Sequence, residues 1–400
     1  MASLDQVTVA AGAPRPPGPT ALGARLLGPD LARGGMLLLI ALANVHAFAY
    51  GFVPGFRGYP TEQSVLDRIL VFAQMVLVDG RAFPLFAALF GYGLVQLAQR
   101  RGEHGCAGDT VRLLRRRGWW LIAIGVAHAM LLFTGDIVAL YGLVGVAISA
   151  AVVRGTDRHL LVVAAWLAVP ALAFGAVRGL PASTLGHVEA VTATPVVFDG
   201  ALLEDLGTRC AEWIIGIGRV LGLAPAVLLG AWAARKRALS SPQAHRRTLR
   251  WTAASGLTLG VAGGVPAAMM AAGLWAEPST ATSLTAGLLH LASGYAVAAA
   301  YIAFFALGAA HLARPVGPVA RAVAATGQRS LTFYLGQSVL FLLILDPAFV
   351  GLGNRISIWL AGLIATGVWV AGLLTAAVLD RGGVRGPAET FLRWATYQRR

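Results

Sequence analysis

Stretches of Leu, Ala, Val, Ile and Gly alternate along this chain with short segments dense in arginine. A membrane-spanning helix needs about 20 mostly apolar residues. Candidate spans fall at roughly 31–52, 64–98, 118–134, 136–153, 159–177, 211–234, 250–275, 284–311, 328–346 and 356–379. The pattern predicts an all-α fold, a polytopic transmembrane helical bundle of about ten spanning helices. Segment 64–98 is the ambiguous one, because Asp79-Gly80-Arg81 could break it into two short helices or bend one long one.

Charge placement chooses between these. Basic residues collect on the cytoplasmic side of a membrane protein. One net crossing over 64–98 puts the Arg100–Arg117 cluster on the same side as the basic N-terminal tail, and the later clusters Arg154/Arg158, Arg235–Arg250 and Arg314–Arg329 then follow. Both termini are thereby expected in the cytoplasm, leaving Arg57, Arg178, Arg209 and Arg355 outside. Residues 1–29 read as a disordered cytoplasmic tail, 30–379 as the transmembrane domain, and 380–400 as an interfacial amphipathic helix that starts at Pro387.

Composition agrees. Charged residues make up 12% of the chain, against roughly 25% in soluble domains. The net charge of +14 points to the bilayer as partner, with loop arginines on anionic headgroups, and no nucleic-acid partner is expected. The two cysteines, Cys106 and Cys210, fall in different loops, and no metal motif is present. Gly256, Gly260 and Gly264 share one helical face, a spacing that suits close helix packing in lipid.

The polar groups left inside apolar runs are the candidates for chemistry, because ionisable residues at membrane depth are costly. Asp30 and Arg33, three apart, can pair on one face, or act separately as a cap and a snorkelling arginine. Asn44 and His46 lie about 21 and 24 Å farther along the same helix, where the histidine is either functional or simply bonded to a neighbouring helix. Arg81 beside a possible break offers a fork of donors for a carboxylate or phosphate, with pairing to Asp79 or Asp67 as the alternative. His128 followed by Asp136 is the minimal general-base pair, yet an acid at that turn also suits a helix N-terminus. Gln328, Thr332 and Gly336 share a face of the ninth span, and Tyr334, Gln337 and Ser338 supply further donors.

Five stretches resemble the bacterial membrane family catalogued as domain of unknown function 418, the YeiB-like proteins. They are Asp30-x-x-Arg33-Gly34 with Asn44; Phe83–Gly91; Gly125-x-x-His128 followed by Gly135-Asp136-Ile137-x-x-x-Tyr141-Gly142-Leu143-Val144-Gly145; Gly327–Gln337; and Gly386-Pro387-x-Glu389-x-x-x-Arg393. Here Gln328-Arg329 stands where the family usually has Arg-Met, and Phe333 where it has Asn. More distantly, the opening Asp-x-x-Arg-Gly helix is similar to transmembrane acyltransferases. In those, a histidine typically occupies the place of Asn44, and His46 falls on a different helical face, so His128 is the better base candidate.

The resemblance implies an acyltransferase moving an acyl group from coenzyme A, a co-substrate and not a bound cofactor, to a small or lipid-linked acceptor. In that reading His128 and Asp136 are catalytic, while Asp30, Arg33, Asn44, His46, Arg81, Tyr334, Gln337 and Glu389 bind substrate. The alternative is a transporter or exporter that uses the same buried groups. Either belongs in a cell membrane, as a multi-pass protein of the bacterial inner membrane.

Overall fold

The computed structural model describes residues 26–102, 107–180, 202–275, 277–312, 316–354 and 356–398. Most of the expected tail, together with Cys106, Arg314, Arg355, Arg399 and Arg400, lies outside them. Among the described residues the fold is all-helical, with a lone bridge between Pro54 and Pro60 as its closest approach to a strand.

The helices run α1 (Leu27–Val45), α2 (Val65–Leu77), α3 (Ala82–Gly102), α4 (Ala107–Leu131), α5 (Val138–Arg154), α6 (Asp157–Val177), α7 (Leu202–Gly216), α8 (Arg219–Arg235), α9 (Arg246–Ala271), α10 (Thr280–His311), α11 (Pro318–Gln328), α12 (Ser330–Leu345), α13 (Ile358–Arg381) and α14 (Pro387–Tyr397). Helix α1 begins at Leu27, so the last residues assigned to the tail are already helical, with Pro29 in the first turn.

Among the described residues six segments are long and apolar enough to cross a bilayer, or up to eight if each of two bent helix pairs counts as one span. The protein is therefore a multi-pass membrane protein. Two expected spans fall short by this measure for physical reasons. Arginines 112, 115, 116 and 117 occupy the first half of α4, and the 17 residues of α5 reach only about 25 Å at 1.5 Å each.

Segment 65–101 is one span, interrupted at Val78–Arg81, where Gly80 takes φ +72. The break lies where the sequence put it, and α3 returns Arg100 and Arg101 to the end where α1 starts. Two other interruptions were not expected. The span drawn at 211–234 bends by 50° between α7 and α8, beside Gly216 and Gly218. The ninth span is preceded by α11, and the chain turns by 87° at Arg329 before α12. Gln328 is consequently on a different helix from Thr332 and Gly336, not on a shared face.

Glycine contacts explain two of the family-like stretches. A methyl group on Gly34 would strike the Val323 carbonyl, and one on Gly327 would strike the Asp30 carbonyl. Thus α1 and α11 touch backbone to backbone, which only residues lacking Cβ permit. On the far side of the bundle, Gly256 and Gly260 let α9 close on Ala296 and Val297 of α10, and Gly264 makes room for the Arg81 guanidinium.

The start of α1, the end of α3 and helix α14 meet at one end of the bundle, called the near end below. Basic loops gather there, including Arg154 and the Arg235–Lys236 pair that clamps Asp157. The end of α1, the turn at Phe56–Gly58 and the start of α3 form the far end.

Candidate functional site

The turn from α4 to α5 builds the most chemically suggestive cluster. His128 on the last turn of α4 is buried, as are Asp136 and Ser338. His128 Nδ1 lies 2.9 Å from Asp136 Oδ1, and Nε2 lies 2.9 Å from the Ser338 hydroxyl on α12. With Nδ1–H donating to the Asp136 carboxylate oxygen, Nε2 is left to meet the Ser338 hydroxyl. The other Asp136 oxygen accepts from the Ala139 amide at 2.8 Å and caps α5. The two readings of Asp136 are compatible, one oxygen each. Gly125 leaves the space, because a methyl there would press on the Asp136 carboxylate and the Ala139 backbone.

Tyr334, one turn before Ser338, brings its ring centroid to 5.1 Å from that of His128. Its buried hydroxyl lies against the Ile137 backbone amide without a well-aligned hydrogen bond. Gln337 donates to the Leu37 carbonyl at 3.0 Å, and its own carbonyl oxygen is buried without a partner.

Two cavities flank this cluster. The near cavity, about 290 Å³, is lined by Asp30, Arg33, Arg100, Arg101, Arg117, Tyr334, Glu389 and Arg393 among apolar side chains. Arg33 holds Asp30 at 3.2 Å, so the expected pair forms, and it also donates to the Leu89 carbonyl at 3.3 Å. The far cavity, about 350 Å³, is lined by Asn44, His46, Arg57, Asp79, Arg178, Arg219 and His290. Ile40 and Ile137 belong to the walls of both.

Arg81, Glu389 and His46 also make contacts that hold helices together. Arg81 is fully buried and lines neither cavity. Its guanidinium donates to the carbonyls of Val76 (3.0 Å), His290 (2.8 Å) and Gly260 (3.3 Å) and to the Ser293 hydroxyl (3.2 Å). It thereby ties the break before α3 to α9 and α10. The acids considered as its partners are engaged elsewhere: Tyr59 donates to Asp79 at 2.6 Å, and Asp67 accepts from the Trp359 amide at 3.1 Å. Burial, and then the Asp79 charge, hold the Tyr59 phenol well above its ordinary pKa, which keeps the donor in place.

Glu389 caps α12 from the last helix. Its Oε1 accepts from the amides of Leu331 (2.7 Å) and Thr332 (3.2 Å), and its Oε2 from the Thr332 hydroxyl (2.5 Å). His46 stacks on Tyr59 with ring centroids 4.6 Å apart, and its buried Nδ1 has no partner. Among the described residues, no three His, Cys, Asp or Glu side chains group as a metal site would require.

Sequence reading alone missed three things. Ser338 was read as a further donor, but its pairing with His128, 210 residues away, was not foreseen. Arg100, Arg101, Arg117 and Arg393 were read as loop markers, although they line a cavity. Arg219 and His290 on the far cavity were not singled out at all.

Comparison with known proteins agrees with the motifs. The chain is 25% identical over 407 residues to the uncharacterized protein YxaH of Bacillus subtilis (strain 168), covering 95% of this chain and 96% of the relative. No solved structure matches. The family described as protein of unknown function (DUF418) matches residues 233–399, from the end of α8 through α14, a region that holds two of the five family-like stretches, Gly327–Gln337 and Gly386–Arg393.

Proposed function

We propose that this protein is an acyltransferase of a bacterial inner membrane, moving an acyl group from coenzyme A to a small or lipid-linked acceptor. The observation that carries the reading is the hydrogen-bonded line Ser338–His128–Asp136 behind Tyr334, which itself lines the near cavity. Arg33, Arg100, Arg101, Arg117 and Arg393 on that cavity suit a carrier bearing several phosphates. The near end is then the cytoplasmic one, in keeping with its basic loops.

In the reaction, His128 Nε2 takes the proton from the acceptor hydroxyl or amine as that atom attacks the thioester carbonyl. The carbon–sulfur bond breaks, and the departing thiolate takes the proton back from His128. Asp136 holds the imidazole in the required tautomer. The Tyr334 hydroxyl donates to the carbonyl oxygen as it gains negative charge. His128 is buried in this structure with Nε2 on Ser338, so the reaction requires the Ser338 hydroxyl and the Tyr334 ring to move aside.

The test is transfer of a radiolabelled acyl group from coenzyme A by the detergent-purified chain. Wild type binds the donor saturably, and His128→Ala keeps that binding while transfer falls about 10²- to 10⁴-fold. Absence of binding to any acyl donor overturns the reading. A transporter is favoured by one specific observation, two opposed cavities sharing Ile40 and Ile137. Its mark is flux in liposomes whose pH dependence changes in His128→Ala.

A further inference from the structure

The near cavity runs from a charged mouth to an aromatic floor. Arg100 and Arg101, at the end of α3, stand at the mouth. Phe90 and Phe86 come 10 and 14 residues before Arg100 on the same helix, about 15 and 21 Å deeper at 1.5 Å per residue. Tyr141 on α5 meets them there. Its ring centroid is 5.6 Å from that of Phe90 and 5.8 Å from that of Phe86, with the planes inclined by only 24° and 16°. All three rings line the cavity.

The stack is anchored on both helices. Tyr141 is buried, and its hydroxyl donates to the Phe83 carbonyl at 3.1 Å. Gly145, one turn beyond Tyr141, leaves the seat for Phe90, whose ring would stand 3.1 Å from a methyl placed there. Phe83 itself lines the far cavity, so the stack lies at the level where one cavity gives way to the other. Rings packed in this way admit an extra methylene only by leaving their preferred rotamers. Tyr334 lines the same cavity, within electrostatic reach of Tyr141.

We propose that Phe86, Phe90 and Tyr141 form a floor that restricts the donor to a short acyl group. The inference rests on the function proposed above, in which the Tyr334 hydroxyl meets the thioester carbonyl. With the carbonyl held at Tyr334, the acyl carbons continue inward, and the three rings occupy the space that a long chain would need. Ile40 and Ile137, shared with the far cavity, also belong to this wall. An apolar pocket with room to spare rewards each added methylene by about fourfold in affinity. A closed floor withholds that gain and then penalises the longer chain.

The experiment is calorimetric titration of the detergent-solubilised full chain with acetyl-, butyryl-, hexanoyl- and octanoyl-coenzyme A. Wild type binds the acetyl thioester best and the hexanoyl and octanoyl thioesters about tenfold or more weakly. In Phe90→Ala and Phe86→Ala the order reverses, with affinity rising about fourfold per methylene through hexanoyl. Phe90→Leu, which removes less volume, shifts the preferred length in the same direction and carries the test where melting curves show an alanine variant unfolded. A wild-type affinity that climbs through octanoyl overturns the closed floor, the chain then passing between Ile40 and Ile137. Matching chain-length profiles in wild type and the folded Phe90 variant overturn the role of the rings. Both of those outcomes leave the acyltransferase reading standing, because donors bind. Binding of none of the four thioesters overturns that reading, and this inference with it.

Discussion

Glu389 distinguishes a structural acid from a substrate ligand, and the consequence of removing it can be worked out. Its carboxylate accepts from the first amides of α12, Leu331 and Thr332, and from the Thr332 hydroxyl. Helix α12 starts after an 87° turn, so α11 cannot continue into it and satisfy those amides. In Glu389→Ala both lose their acceptor. Loss of an N-terminal cap costs about 0.5–2 kcal/mol, and loss of a charge near the positive end of the helix adds about 0.3–1 kcal/mol. The Thr332 hydroxyl, only half-buried and able to turn to another partner, loses about 1 kcal/mol more. The sum, about 2–4 kcal/mol, applies to opening of the first turn of α12. At 1.4 kcal/mol per factor of ten, hydrogen exchange over residues 330–334 accelerates about 30- to 700-fold. Glu389→Gln keeps an acceptor for both amides and recovers most of the protection. Unchanged exchange in Glu389→Ala, combined with loss of ligand binding, refutes the capping argument and makes Glu389 a ligand group.

Two further predictions test packing and the buried cluster. Ser338→Ala leaves His128 Nε2 buried without its partner and costs about 1–3 kcal/mol, read as a lower midpoint of denaturation in detergent; an unchanged midpoint removes the Ser338–His128 bond from the description. Gly327→Ala drives a methyl into the Asp30 carbonyl and costs about 1–3 kcal/mol. Gly336→Ala, which meets nothing within 4 Å, is neutral or stabilising by up to about 1 kcal/mol, and equal melting temperatures for the two variants contradict the α1–α11 contact.

Local features were legible in the sequence because they depend on near neighbours. The break at Gly80, the Asp30–Arg33 pair, the start of α14 at Pro387 and the His128–Asp136 pair across one tight turn all fall in this class. The bend at Arg329 was not legible. Residues on both sides of it suit a helix, and what turns the chain is tertiary: Arg329 donates to the carbonyls of Ala325 (3.0 Å) and Val384 (2.6 Å). The capping of α12 by Glu389 escaped for the same reason, since its partners lie 57 and 58 residues away. The arginines of the two cavities were hidden by the rule that located the loops. Charge counting says on which side a residue sits, and nothing about whether it lines a cavity.

Ile40 and Ile137, the residues common to both cavity walls, have an electrical consequence. Where water fills the two cavities, the low-conductance layer thins from the width of the bilayer to a few aliphatic side chains, and the transmembrane voltage drops mostly there. A unit charge moved from one cavity to the other does work of about 2.3 kcal/mol per 100 mV. An uncharged acyl group passing the same point does none. The voltage thus acts on any charge that crosses the layer at Ile40 and Ile137, and a neutral group that crosses it leaves the membrane voltage undisturbed.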